Sequence, residues 1–230
     1  MNALVRIAAL LLLTALGSVL SSAQNSASEK IGPTAVWQMP DSFRATALKK
    51  CGDATQPPPF AECFINQMAA GGASPQAAAF TRALYKVSGG DVGIMNGFHK
   101  VGPVDIAWVN YPLRANTNYG LLFVNGEPPI IDAENLKLLD QTAMQQDPQF
   151  QNTKAQFPNV GVWPGDRDGT TWPNSQPGPN GGVQFTVGYP LINGCHACER
   201  VGFVMFNWNF DAQGKFLGTT FMGMTPPPLK

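Results

Sequence analysis

The sequence predicts an α+β fold, built as a mostly antiparallel sheet of about five to seven strands with helices concentrated in the N-terminal half and the middle. Three observations lead there. Apolar residues recur at helical spacing over residues 42–87, after which the period drops toward two. The later strand-like segments follow one another through turn signals, with little of the strand–helix–strand alternation of a parallel sheet. The chain carries 24 Gly and 20 Pro with only 13% charged residues, so loops are extensive, while 44% apolar residues suffice for a globular core.

Each element has a local reason. Asp41 is placed to cap a helix over 42–50, and Pro57, Pro58 and Pro59 forbid a helix in the loop over 52–59. A second helix over 60–70 sets Phe60, Cys63, Phe64 and Met68 at helical spacing, and Gly71 and Gly72 end it. Ser74 caps a third helix whose first residue is Pro75, with Ala79, Phe80, Leu84 and Tyr85 on its apolar side and Gly89 and Gly90 after it. Residues 92–98, 104–111 and 119–124 then read as strands. Asn125-Gly126 signals a tight turn into 129–131. Asp132 is expected to cap a helix over 133–143, and Asp147-Pro148 to open another that ends near Ala155. Residues 160–182 form a long Gly- and Pro-rich segment. Strands at 183–189, 201–210 and 216–222 close the chain, the last two joined by a turn at 211–214.

The first 23 residues read as a secretory signal peptide. Arg6 precedes an apolar run over 7–16, Gly17 breaks it, and Ser21 and Ala23 offer a small-x-small cleavage site. The apolar run is short for a bilayer span, and no second apolar stretch approaches that length. Residues 24–40 are expected to be a flexible N-terminal segment, and 41–230 a single domain that is periplasmic or secreted. Without Arg6, 14 basic side chains face 15 acidic ones, a net charge of −1 with no basic stripe. Nucleic acid is therefore not an expected partner.

Four cysteines fall into two local pairs, Cys51 with Cys63 and Cys195 with Cys198. Export favours disulfides. Of the three possible connectivities, local pairing is the expectation. Loop closure is then worth ~2.9 kcal/mol for the first pair and ~1.9 kcal/mol for the second.

Two stretches share an order of strand, Tyr-Pro-Leu, polar loop and strand: Tyr111-Pro112-Leu113 and Tyr189-Pro190-Leu191. If the two hairpins are structurally related, their loops lie at the same end of the sheet, which brings Arg114 and Asn116 near His196.

The most distinctive short stretch is Gly194-Cys195-His196-Ala197-Cys198-Glu199. Four readings compete: a plain hairpin clasp, a redox site, a metal site, and a clasp that presents His196 and Glu199 to a partner. A thioredoxin-like redox site needs a helix after the cysteines, whereas a strand-like segment follows here. Zinc needs more ligands, and His99 is the only other histidine, so no metal and no cofactor is expected. The long loop adds Trp163, Asp166, Asp168 and Trp172. Its aromatic rings suit stacking on sugars, but its acids fall short of a calcium loop, and a surface loop pinned by inward packing of both Trp is the favoured alternative. Arg114 is suited to a carboxylate ligand or to an internal ion pair. No Gly-x-Ser-x-Gly and no phosphate cradle is present.

Residues 185–221 resemble, over under a fifth of the chain, the periplasmic inhibitors of vertebrate lysozyme. Cys195, His196 and Cys198 match that family's Cys-bounded His loop, in a shorter form. Phe203-Val204-Met205-Phe206 and residues 214–218 match the two strands that follow it. The resemblance implies that His196 plugs the active site of a cell-wall hydrolase. The expectation is therefore an exported, non-catalytic domain that binds a protein or glycan of the cell envelope. The alternative is an exported enzyme, either a thiol–disulfide oxidoreductase using Cys195 and Cys198 or a cell-wall glycan hydrolase.

Overall fold

A computed structural model describes residues 30–52, 59–165 and 172–225. The class is α+β with antiparallel sheets, and the strands divide between two sheets, of four and five strands. The first contains β1 (Ile94–His99), β2 (Asp105–Asn110), β3 (Tyr119–Val124) and β4 (Ile130–Asp132), paired in chain order. The second contains β5 (Val160–Val162), β6 (Asn174–Pro177), β7 (Val183–Asn193), β8 (Arg200–Phe210) and β9 (Phe216–Thr225), with β5 and β6 both on the outer side of β7.

Three helices precede the strands: α1 (Phe43–Cys51), α2 (Pro59–Ala70) and α3 (Pro75–Val87). Ser74 caps α3 by accepting the Ala77 N–H at 3.0 Å, as its position before Pro75 predicts. The expected Asp41 cap is not made; Ser42 holds the N-cap position of α1 without a side-chain bond. The middle helix expected over 133–143 is also replaced. Asp132 accepts the Glu134 N–H at 2.8 Å, and Asn135 accepts the Lys137 N–H at 3.3 Å. Such local bonds compete with a helix, and only a 3₁₀ turn at Leu136–Leu138 and the short α4 (Thr142–Gln146) form. In α5 (Pro148–Gln156), Asp147 caps the Phe150 N–H at 3.0 Å, as expected.

The layers follow from strand alternation. Ile106, Trp108, Leu121 and Phe123 point toward the second sheet and meet Phe185, Val187, Phe206, Trp208 and Phe210. Ala107, Val109, Leu122 and Val124 point the other way, onto Phe80 and Leu84 of α3. The first sheet is thus buried on both faces, which explains why five of the six residues of β2 and five of the six of β3 are buried. The order of layers is helices, first sheet, second sheet.

Part of the segment 24–40, expected to be flexible, is packed. Ala35 and Trp37 are buried, the Trp37 N–H donates to the Met95 carbonyl at 2.9 Å, and Ile31 exchanges two 2.8 Å bonds with the Asn125 side chain. Residues 1–29, and with them the signal-peptide expectation, lie outside the described residues. Cysteine pairing is local, Cys51–Cys63 and Cys195–Cys198. Among the described residues no helix is long and apolar enough to cross a membrane.

One buried polar chain links the second sheet to the segment after β4. The Trp208 Nε1–H donates to the Tyr189 hydroxyl at 3.0 Å, and that hydroxyl donates to the Ala133 carbonyl at 2.7 Å. Tyr189→Phe removes an acceptor and a donor from a buried site. The expected cost is about 2 kcal/mol, read as a lower midpoint of urea denaturation with an unchanged slope.

Candidate functional site

The candidate site is built where the β2–β3 loop meets the β7–β8 loop. In the second of these, Cys195 and Cys198 are bridged across a turn in which the Cys198 N–H donates to the Cys195 carbonyl at 2.8 Å. The base of the loop is closed by the Asn193 N–H on the Glu199 carbonyl at 3.0 Å, and the Gly194 N–H reaches the Asn159 carbonyl at 3.1 Å. A strand, β8, follows the dithiol directly. Cys195, Ala197, Cys198 and Glu199 are exposed, while His196 is half-buried.

His196 turns toward its own protein. Its Nε2 lies 3.3 Å from the Thr117 hydroxyl, and its ring stands edge-on to Trp163 with centroids 6.0 Å apart. Thr117 adopts φ of +55°, a left-handed conformation that a β-branched residue rarely takes. Its carbonyl accepts from the Arg114 Nη1 at 3.4 Å. Asn118 braces the same loop by donating to the carbonyls of Tyr111 and Arg114, at 3.2 and 2.7 Å. The loop that carries Thr117 in this conformation is thus braced by Arg114, Asn118 and His196.

Below this contact sits a charged cluster. Arg114 donates to Asp91 from Nε at 3.0 Å and from Nη2 at 2.8 Å, and to Glu134 from Nη1 at 3.4 Å. Its guanidinium carbon lies 3.5 Å above the Tyr111 ring centre. Burial alone lowers the affinity of Arg114 for its proton, but the hydrogen bonds to Asp91 and the neighbouring anions outweigh it and leave the group above its ordinary range. Burial also pushes the Tyr111 phenol up from its usual 10.0, with Asp132, Glu134 and Asp91 adding to the shift and Arg114 opposing it.

The sequence candidates thus separate. Arg114 and His196 come to one end of the molecule, linked through Thr117, as the shared Tyr-Pro-Leu pattern suggested, although the two hairpins belong to different sheets. Arg114 is engaged internally. Asn116 is exposed on the same loop, and Trp163 flanks His196. Trp172 is elsewhere: it stacks on His99 at 5.3 Å and tilts against Trp108 at 5.5 Å. Asp166 and Asp168 lie outside the described residues. Thr117 was not singled out from sequence, because nothing local marks its left-handed φ or a partner 79 positions away. Among the described residues no group of three His, Cys, Asp or Glu side chains is placed to hold a metal ion. A groove of about 410 Å³ lies apart from this site, between residues 30–35, α3 and the turn at 125–130. The chain matches no protein-family model, no curated protein and no solved structure.

Two outcomes follow. Arg114→Met strips the counter-charge from a nearly buried Glu134 and a half-exposed Asp91; the expected loss is about 2–3 kcal/mol in urea denaturation, partly restored in Arg114→Lys. Tyr111 favours its protonated form in the fold. The stability it contributes is complete below pH 10 and is lost above it, by up to about 1.4 kcal/mol per pH unit, as the unfolded chain alone ionises. Ultraviolet titration of the four tyrosines should show that the Tyr111 phenol ionises only when the protein unfolds, a signal that Tyr111→Phe removes.

Proposed function

We propose that this protein is an exported, non-catalytic binding domain whose working surface is the end where the loops at 111–118 and 194–199 meet, and that its partner is a cell-wall hydrolase. The observation that carries the reading is the Thr117–His196 contact at 3.3 Å, made by a Thr with left-handed backbone to a disulfide-clasped loop. Two loops braced against each other present Asn116, Ala197 and Glu199 to solvent at little conformational cost on binding. The short clasp and the strand after it support a rigid hairpin tip in preference to a thioredoxin-like active site, which places its dithiol before a helix. The half-buried imidazole favours a role for His196 in shaping the tip, with the neighbouring exposed residues as the first points of contact.

The test is inhibition. The purified disulfide-intact chain is titrated into turbidity assays of cell-wall lysis by lysozymes of different structural classes. The reading expects slowed lysis for at least one class. It also expects at least a tenfold weaker effect for Glu199→Arg and for His196→Ala, with melting temperatures near that of the parent. Full activity of every class at micromolar protein would overturn it.

A further inference from the structure

β9 is an outer strand of the second sheet, ten residues long and paired along one side only. Its start is held by the β3–β4 turn, where the Phe216 N–H donates to the Glu127 carbonyl. The Thr219 hydroxyl donates to the Leu138 carbonyl at 3.1 Å and accepts the Asp140 N–H at 2.7 Å. From Leu217 onward, among the described residues, the β9 backbone bonds to no element but β8. Proteins usually guard so long an edge with lysine, proline or a bulge. β9 has no ionisable residue and no proline, and at each of its two bulges stands an exposed apolar side chain.

The strand is two copies of one five-residue pattern, Phe216-Leu217-Gly218-Thr219-Thr220 and Phe221-Met222-Gly223-Met224-Thr225. In each copy the ladder to β8 skips the second residue. Asn209 opposes Gly218 and Phe210 opposes Phe216, which leaves Leu217 as the extra residue; Met205 opposes Gly223 and Phe206 opposes Phe221, which leaves Met222. Leu217 and Met222 are 55% and 54% exposed, and only one other large apolar side chain among the described residues, Val87, is comparably open. Each is followed by a glycine in the left-handed region, Gly218 at φ of +104° and Gly223 at +123°. A Cβ on either glycine would meet nothing within 4 Å, so a gap lies beside each protruding side chain.

We infer that the β9 edge pairs antiparallel with β9 of a second copy of this chain, about a two-fold axis at Thr220. Such an axis opposes positions equally distant from it. Leu217 then falls opposite Gly223 of the second copy, and Met222 opposite its Gly218, so one operation seats every protruding side chain over a gap. No other antiparallel register does this for both side chains. Opposed positions also keep their faces, as strand pairing requires. Thr219 and Phe221, which oppose each other across the axis, both lie on the core-facing side, since their partners Trp208 and Phe206 are buried. The self-complementary spacing selects the partner, because an unrelated strand would have to repeat it. A contact one strand edge wide is small, so the dimer forms and dissociates with concentration. The inference does not rest on hydrolase binding.

The experiment is sedimentation velocity of the purified chain from micromolar to millimolar concentration. A monomer–dimer equilibrium is expected, weakened at least tenfold by Leu217→Lys and by Met222→Lys, each checked for an unchanged circular dichroism spectrum. Register is read by cross-linking. All four native cysteines are paired, so mild oxidation of Thr220→Cys joins the copies at the axis, where directly opposed Cβ atoms stand about 5 Å apart. Thr225→Cys, far from its own twin in this register, stays unlinked. A monomer at every concentration, a dimer that both lysine variants leave intact, or cross-linking of Thr225→Cys as fast as Thr220→Cys would each overturn the inference.

Discussion

The structure depends on the aromatic contact between its two sheets. Phe123, the centre of that contact, meets Phe185, Trp208 and Phe210 with ring centres 4.9, 5.1 and 5.3 Å away. Each such pair adds about 0.5–1.5 kcal/mol to the burial of its own area. More important, one ring lodged among three leaves little freedom for the sheets to slide. Their relative position decides which loops can touch.

The consequence is visible at both ends. At one, the β3–β4 turn meets the β8–β9 turn: the Glu127 N–H donates to the Gly214 carbonyl at 2.9 Å, and the Phe216 N–H returns to the Glu127 carbonyl at 3.0 Å. A Cβ on Gly126 would stand 2.6 Å from the Gly214 oxygen, so the approach requires glycine there. At the other end, Thr117 meets His196. The sheets are tied by backbone where the molecule is closed and by side chains where its loops face outward. Interfaces of the second kind leave room for partners, because side-chain contacts rearrange more readily than a backbone ladder.

Much of this fold was legible locally. The Ser74-Pro75 start, the Asp147-Pro148 start, the strand at 119–124 and the local disulfides each depend on neighbours within a dozen residues, and each appears as expected. What was not legible is what distance decides. The long segment after residue 160 contains β5 and β6, which exist because β7 offers them an edge, not because their own sequences favour strands; β6 is Asn-Ser-Gln-Pro. The division into two sheets is likewise a property of packing. At the site, Arg114 and His196 stood out by residue type, but which of them faces solvent is set by Asp91 and Thr117, and only three-dimensional packing supplies those partners.

The claim at the centre of this account is that sheet packing brings the clasped hairpin against the β2–β3 loop. Nuclear Overhauser spectroscopy on the disulfide-intact protein tests it most directly, through the Thr117 methyl group and the His196 ring protons. The account predicts a cross-peak between them, weakened when Phe123→Ala loosens the sheets. Assigned, sharp signals from both residues with no cross-peak in the parent protein would contradict it.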